Sequence, residues 1–131
     1  MGYGILRPGD LEWEERPFAE GQAPRLTAEV TRPAALSQSR ARLRRYPPRT
    51  RGRRHADHAQ EEVFLVLSGS FAFMVGDPPE RIDAPAGSVV RIEMDTPFQI
   101  RNDGDTEGML FAYGAPPVEG GAEFFPDLGQ S

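Results

Sequence analysis

Apolar and polar positions alternate along this chain in short bursts. Aliphatic, β-branched and aromatic residues concentrate in segments 26–31, 37–46, 62–67, 71–75, 88–92, 98–101 and 109–113. Where a period is visible it is two, the period of a strand with one covered face. Turn chemistry separates the bursts: Pro47-Pro48, Ser68-Gly69-Ser70, Gly76-Asp77-Pro78-Pro79, Pro85-Ala86-Gly87, Asp95-Thr96-Pro97 and Asp103-Gly104-Asp105. With 13 prolines and 14 glycines in all, the chain has little room for a long helix. Strands spaced by roughly 8–12 residues predict an all-β sandwich or barrel and not βαβ units. Val63-Phe64-Leu65-Val66-Leu67 is apolar on both parities. One face should line a barrel and the other should lie under a second layer or a partner subunit.

The ends read differently. The segment up to about residue 25 holds Trp13, Phe18 and three prolines, but follows neither a strand nor a helix period. Residues 1–35 are therefore expected to form an arm packed on the barrel and anchored by Trp13. A short helix over 10–16, with Asp10 as cap and Pro17 as stop, is the alternative for part of it. Residues 36–117 should form the barrel, and 118–131 a tail pinned by Phe124 and Phe125. No repeat and no interdomain linker stands out.

At 131 residues the chain fits one domain, able to bury roughly two-thirds of its unfolded surface. Without cysteine it has no disulfide framework, thiolate metal site or thiol nucleophile. No apolar stretch is long enough to span a membrane as a helix, and the N-terminus lacks the basic-then-apolar order of a secretion signal. A cytoplasmic protein with no membrane partner is expected. Its charge is unevenly placed: residues 1–54 hold 12 of the 15 arginines and 6 of the 20 acids. Eight of these arginines fall within 40–54, a run that in isolation suggests a nucleic-acid arm. Two features oppose that reading. With no lysine present, arginine must supply every salt bridge to the acidic half. Ala41 and Leu43 also alternate with arginines, as in a half-buried strand. No nucleic-acid partner is expected.

His55-Ala-Asp-His-Ala-Gln-Glu-Glu-Val-Phe-Leu-Val-Leu-Ser-Gly69 resembles the first motif of the cupin family, and the stretch from Pro85 to Asn102 resembles the second. The resemblance spans roughly 36–115, with the Glu62-to-Gly69 spacing as its firmest anchor. It implies a double-stranded β-helix, or jelly-roll, barrel of two facing antiparallel sheets. It also implies a divalent metal, Mn, Fe, Ni or Zn, held by three histidines and a glutamate. Here Glu62 occupies the glutamate position. The histidine positions admit two registers: Ala56 and His58 with a three-residue gap, or His55 and Asp57 with a four-residue gap. The second also sets Arg49 where the family has glycine, and is preferred. Phe98 falls on the third histidine position, which cannot ligate, while Asn102 keeps its place. Under either register the ligand set is depleted.

Two functions follow from that resemblance. The first is a barrel that binds a small organic ligand without redox chemistry. Glu62 would be its polar anchor, Phe64, Phe98 and Ile100 its apolar wall, and Arg45 or Arg101 the arginine beside the carboxylate. The second is a metal-dependent isomerase- or dioxygenase-like enzyme using a reduced set of His55, Asp57 or His58, and Glu62. A weaker third reading has the arginine strand binding an acidic partner. The two-sided apolar strand at 63–67 predicts a homodimer, with Val63, Leu65 and Leu67 pointing away from the cavity.

Overall fold

A computed structural model describes residues 2–129; the first residue of the expected arm and the last two of the tail lie outside it. The chain runs β1 (Trp13–Arg16), β2 (Arg25–Glu29), β3 (Arg40–Tyr46), β4 (Thr50–Arg51), β5 (His55–Asp57), β6 (Glu61–Ser68), β7 (Ser70–Val75), β8 (Glu80–Pro85), β9 (Val89–Ile92), β10 (Phe98–Asn102), β11 (Gly108–Ala115) and β12 (Ala122–Phe124). The one helical element among the described residues is a 3-10 turn at Pro8–Asp10. One antiparallel sheet has the order β1-β2-β3-β11-β6-β9. The other has the order β12-β5-β10-β7-β8, with β4 also paired to β10. The all-β barrel expected from the turn spacing is the architecture found.

The inner faces of the sheets meet over an aromatic core. Phe64 and Val66 on β6, Phe73 on β7, Phe98 and Ile100 on β10 and Leu110 on β11 are all buried. The Phe64 ring lies 5.5 Å from those of both Phe73 and Phe98, and Tyr46 meets Phe71 edge-on at 5.2 Å. Such offset and edge contacts suit the ring quadrupoles. Emptying one of these positions costs about 3–5 kcal/mol. The β6–β7 hairpin closes on Gly69, whose φ of +75° a side chain would oppose. A Cβ there would also lie 2.8 Å from the Gly108 Cα of β11.

The 10–16 segment forms no α-helix: Asp10 ends the 3-10 turn, and residues 13–16 are a strand. Residues 13–16 pair with β2, Trp13 opposite Ala28 and Arg16 opposite Arg25, so the segment joins a sheet edge whose ladder satisfies more backbone groups than one isolated turn could. Trp13 lies on the outer face, beneath the Arg45 guanidinium at 5.1 Å. The tail is also tied down. β12 pairs with β5, and the Phe125 amide donates to the Arg54 carbonyl. Gly129 accepts from Arg101 across the outer face of β10. Arg45, Arg49, Arg51 and Arg54 pair with Glu107, Asp105, Asp127 and Asp77, all from the acidic half of the chain.

Candidate functional site

The site is built on three rungs across β3, β11 and β6. In the first, Gly114 separates Arg40 from Glu62; in the second, Ala112 separates Arg42 from Phe64; in the third, Leu110 separates Arg44 from Val66. Side chains on one strand face recur at every second residue, so Arg40, Arg42 and Arg44 share the inward face with Glu62. Glycine and alanine on the middle strand leave the space between these walls unfilled. A cavity of about 280 Å³ results, bounded by the three arginines, Glu62, His55, Asp57, Gln60 and the tail residues Gly120–Ala122 and Phe124. Phe64, Phe98 and Ile100 belong to the packed core at this end of the barrel.

Glu62 and His55 meet on one side of the cavity. The His55 Nε2 lies 3.6 Å from Glu62 Oε1, and both side chains are largely buried. The His55 Nδ1 lies 3.3 Å from the Arg53 carbonyl oxygen, to which it donates when protonated. Its ring packs on Phe98 at 4.6 Å and reaches Phe124 of the tail at 6.2 Å. Glu62 Oε1 is buried and accepts no hydrogen bond from the protein. Desolvating a carboxylate oxygen without a donor costs more than any ordinary hydrogen bond returns.

The arginine wall is similarly under-satisfied. Arg44 forms no ion pair among the described residues, and its Nε is buried without an acceptor. Arg42 approaches Glu29 only to 3.9 Å. Burial, and then the neighbouring Arg44 charge, hold Arg42 below its ordinary pKa, with Glu29 opposing them. An imidazole beside a carboxylate can relay a proton, and guanidinium groups can hold an oxyanion. The cavity offers both.

The remaining sequence candidates take other places. Asp57 lines the cavity, but its Oδ1 accepts from the amides of Ala59 and Gln60 at 2.8 and 2.9 Å and shapes the turn into β6. His58 turns outward and bridges Asp95 at 2.6 Å and Glu123 of β12 at 2.7 Å. Those two carboxylates, Asp95 first, raise its pKa. Its amide also donates to the Gly121 carbonyl at 2.8 Å. A Cβ on Gly121 would stand 2.8 Å from both Asp57 Oδ1 and Ala59 Cβ, so the tail crosses this turn only as glycine. Arg45 lies on the outer face with Glu107 and Trp13, away from the cavity. Arg101 also points outward, toward the tail.

The donors in the cavity do not fit a divalent metal. No group of three or more His, Asp or Glu side chains among the described residues could hold one. His55 and Glu62 come together, Phe98 stacks where a further donor would be needed, and three arginines face the same space. A cation there would share the cavity with like guanidinium charges. Arg42 and Arg44 were not among the site residues expected from the sequence, nor was the tail strap over 120–124. The signal available was parity: Arg42 and Arg44 share a strand face with Tyr46, an aromatic that must be covered.

Two facing antiparallel sheets with a side-chain-lined cavity at one end define a double-stranded β-helix barrel. The chain belongs to the cupin family: the Cupin domain family matches residues 42–113, more than half its length. Solved structures agree in fold. One is described as a predicted oxalate decarboxylase from Thermotoga maritima, with TM-score 0.75, 18% identity, and coverage of 86% of this chain and 98% of that one. Another is a sugar phosphate isomerase of the cupin superfamily from Silicibacter pomeroyi, with TM-score 0.75, 17% identity, and coverage of 96% and 94%. A polyketide cyclase from Streptomyces resistomycificus gives TM-score 0.72 at 14% identity, covering 97% and 86%. At these identities the likeness is one of fold, and the three bear different activities on it. No curated protein matches the chain. No helix among the described residues is long and apolar enough to cross a membrane.

Proposed function

We propose that this protein binds a small organic molecule in the barrel cavity, with Glu62 as the acceptor that fixes the molecule and His55 beside it. The observation that carries this reading is the Glu62 carboxylate oxygen, buried at the cavity and given no donor by the protein. A ligand hydroxyl or amine would supply that donor. The volume of about 280 Å³ suits a metabolite of modest size and lies just under the usual range for drug-sized ligands. The tail supports the same reading, because Phe124 and the Gly120–Ala122 stretch close one side of the opening.

Nuclear magnetic resonance titration with a panel of neutral and charged metabolites tests it. Binding should shift the resonances of Glu62, His55 and Ala112 together, and Glu62→Gln should weaken the response about tenfold, as loss of a charged acceptor does. Ligands that bind while leaving these three residues unperturbed would place the site elsewhere.

A further inference from the structure

The wall facing Glu62 carries positive charge that the protein leaves largely unneutralised. Arg40, Arg42 and Arg44 line the cavity together. Arg44 has no ion pair among the described residues, and Arg42 has only Glu29 at 3.9 Å. Arg42 also feels Arg44, Arg40 and Arg16 as like charges. Glu62 lines the same space and pairs with none of them. A guanidinium and a carboxylate sharing a confined, poorly hydrated space ordinarily close into an ion pair, because their attraction grows as the dielectric falls. Here no such pair forms. The two walls stand on either side of β11, two interstrand spacings or roughly 10 Å apart, with Gly114, Ala112 and Leu110 on the strand between them. An occupant that satisfies both walls offers an anion to one and a hydrogen-bond donor to the other.

We propose that the ligand is a hydroxylated small molecule bearing an oxyanion. Its carboxylate or phosphate is held by the forked N–H groups of Arg42 and Arg44, and one of its hydroxyls donates to Glu62. The inference rests on the reading that the barrel cavity is the ligand site, and adds the chemical class. Arginine suits the role because its planar fork matches both carboxylate and phosphate geometry. A neutral polyol would leave the arginines unmatched, and a cationic ligand would be repelled by them.

Calorimetric titration of the full chain with glucose, gluconate, glucose 6-phosphate and inorganic phosphate tests it. At least one of the two sugar-derived anions should bind about tenfold or more tightly than glucose, and which one does separates a carboxylate ligand from a phosphate ligand. Inorganic phosphate should compete with it in the unaltered protein, a readout that needs no variant. Arg44→Gln should cost the anion about tenfold, and Arg44→Lys should restore part of the loss. Equal affinity for glucose and both anions would overturn the inference. So would an Arg44→Gln variant that melts like the parent yet binds the anion equally well. If no anion binds but neutral compounds still shift Glu62 and His55, the anion class is wrong and the cavity reading survives. If neither kind binds, both fail.

Discussion

Arg51 and Asp127 form a two-pronged ion pair that ties the tail to the barrel. Arg51 donates through Nε at 2.9 and 3.1 Å and through Nη2 at 2.6 Å, and Gln99 adds a bond to the same carboxylate at 2.8 Å. The Arg51 bonds come first among the causes that hold the Asp127 carboxyl well below the usual carboxylate range.

Asp127→Asn should therefore destabilise the protein by about 1–3 kcal/mol at neutral pH, discounted for the partial exposure of Asp127. A depressed pKa stabilises above the unfolded value, near 4, and that contribution fades only as pH falls toward the folded value. The gap between parent and variant in denaturant unfolding should accordingly shrink below about pH 4. A gap that stays constant down the acid limb would mean that the pair is not what holds the tail.

His58 should make the strap over 120–124 sensitive to alkali. Its raised pKa reflects bonds to Asp95 and Glu123, which join the turn before β10 to β12. A raised pKa stabilises below the unfolded value, near 6.5, and that support is lost as pH rises through the folded value. Amide exchange protection at Glu123 and Phe124 should fall from about pH 6 to about pH 9 in the parent. In His58→Ala it should be low and flat; a parent with pH-independent protection refutes the latch.

Phe98→His offers a gain-of-function test of the depleted donor set. Phe98 is buried, and its ring lies 4.6 Å from that of His55, so an imidazole there would add a third nitrogen or oxygen donor to His55 and Glu62. Nickel or zinc binding measured by calorimetry should rise at least about tenfold over the parent. Equal metal binding by both proteins would show that Phe98 does not occupy the position of the missing donor.

A homodimer across the β6 outer face is expected. Leu67, Val89 and Tyr113 are 45%, 68% and 40% exposed on that face, where Leu65 pairs with Val89 and Val63 with Tyr113. Sedimentation should report twice the 14.5 kDa of the chain, and Val89→Glu should return it to one. A monomer in the unaltered protein at micromolar concentration would end this proposal.

The strands most legible in the sequence are those whose alternation survives on at least one covered face: β6, β7, β10 and β11 fall within one or two residues of the apolar bursts. β8 went unseen because, apart from Ala84, all of its residues are exposed, which leaves no pattern to read. β1 and β12 owe their extended form to the edges they join, a tertiary effect that local propensity does not carry. The site was half legible. Glu62, His55 and Phe98 were placed by motif spacing, and the structure brings them together. The arginines were not, because alternation reveals two faces without saying which one turns inward. Ala41 is buried on the outer face while Arg42 and Arg44 turn in, the reverse of what hydropathy suggests.

Gly114 and Ala112 line the cavity without carrying any charge. They set the width of the gap, whereas the flanking strands set its polarity, so size and charge preference are encoded on different strands. A methyl added at Gly114 would press on the Gln60 amide oxygen at 2.9 Å and narrow the opening while leaving every arginine in place. A barrel arranged this way can be re-tuned for shorter or longer ligands of the same charge through one strand of small residues, a separable adjustment that descendants of the sequence, or a protein engineer, could make one residue at a time.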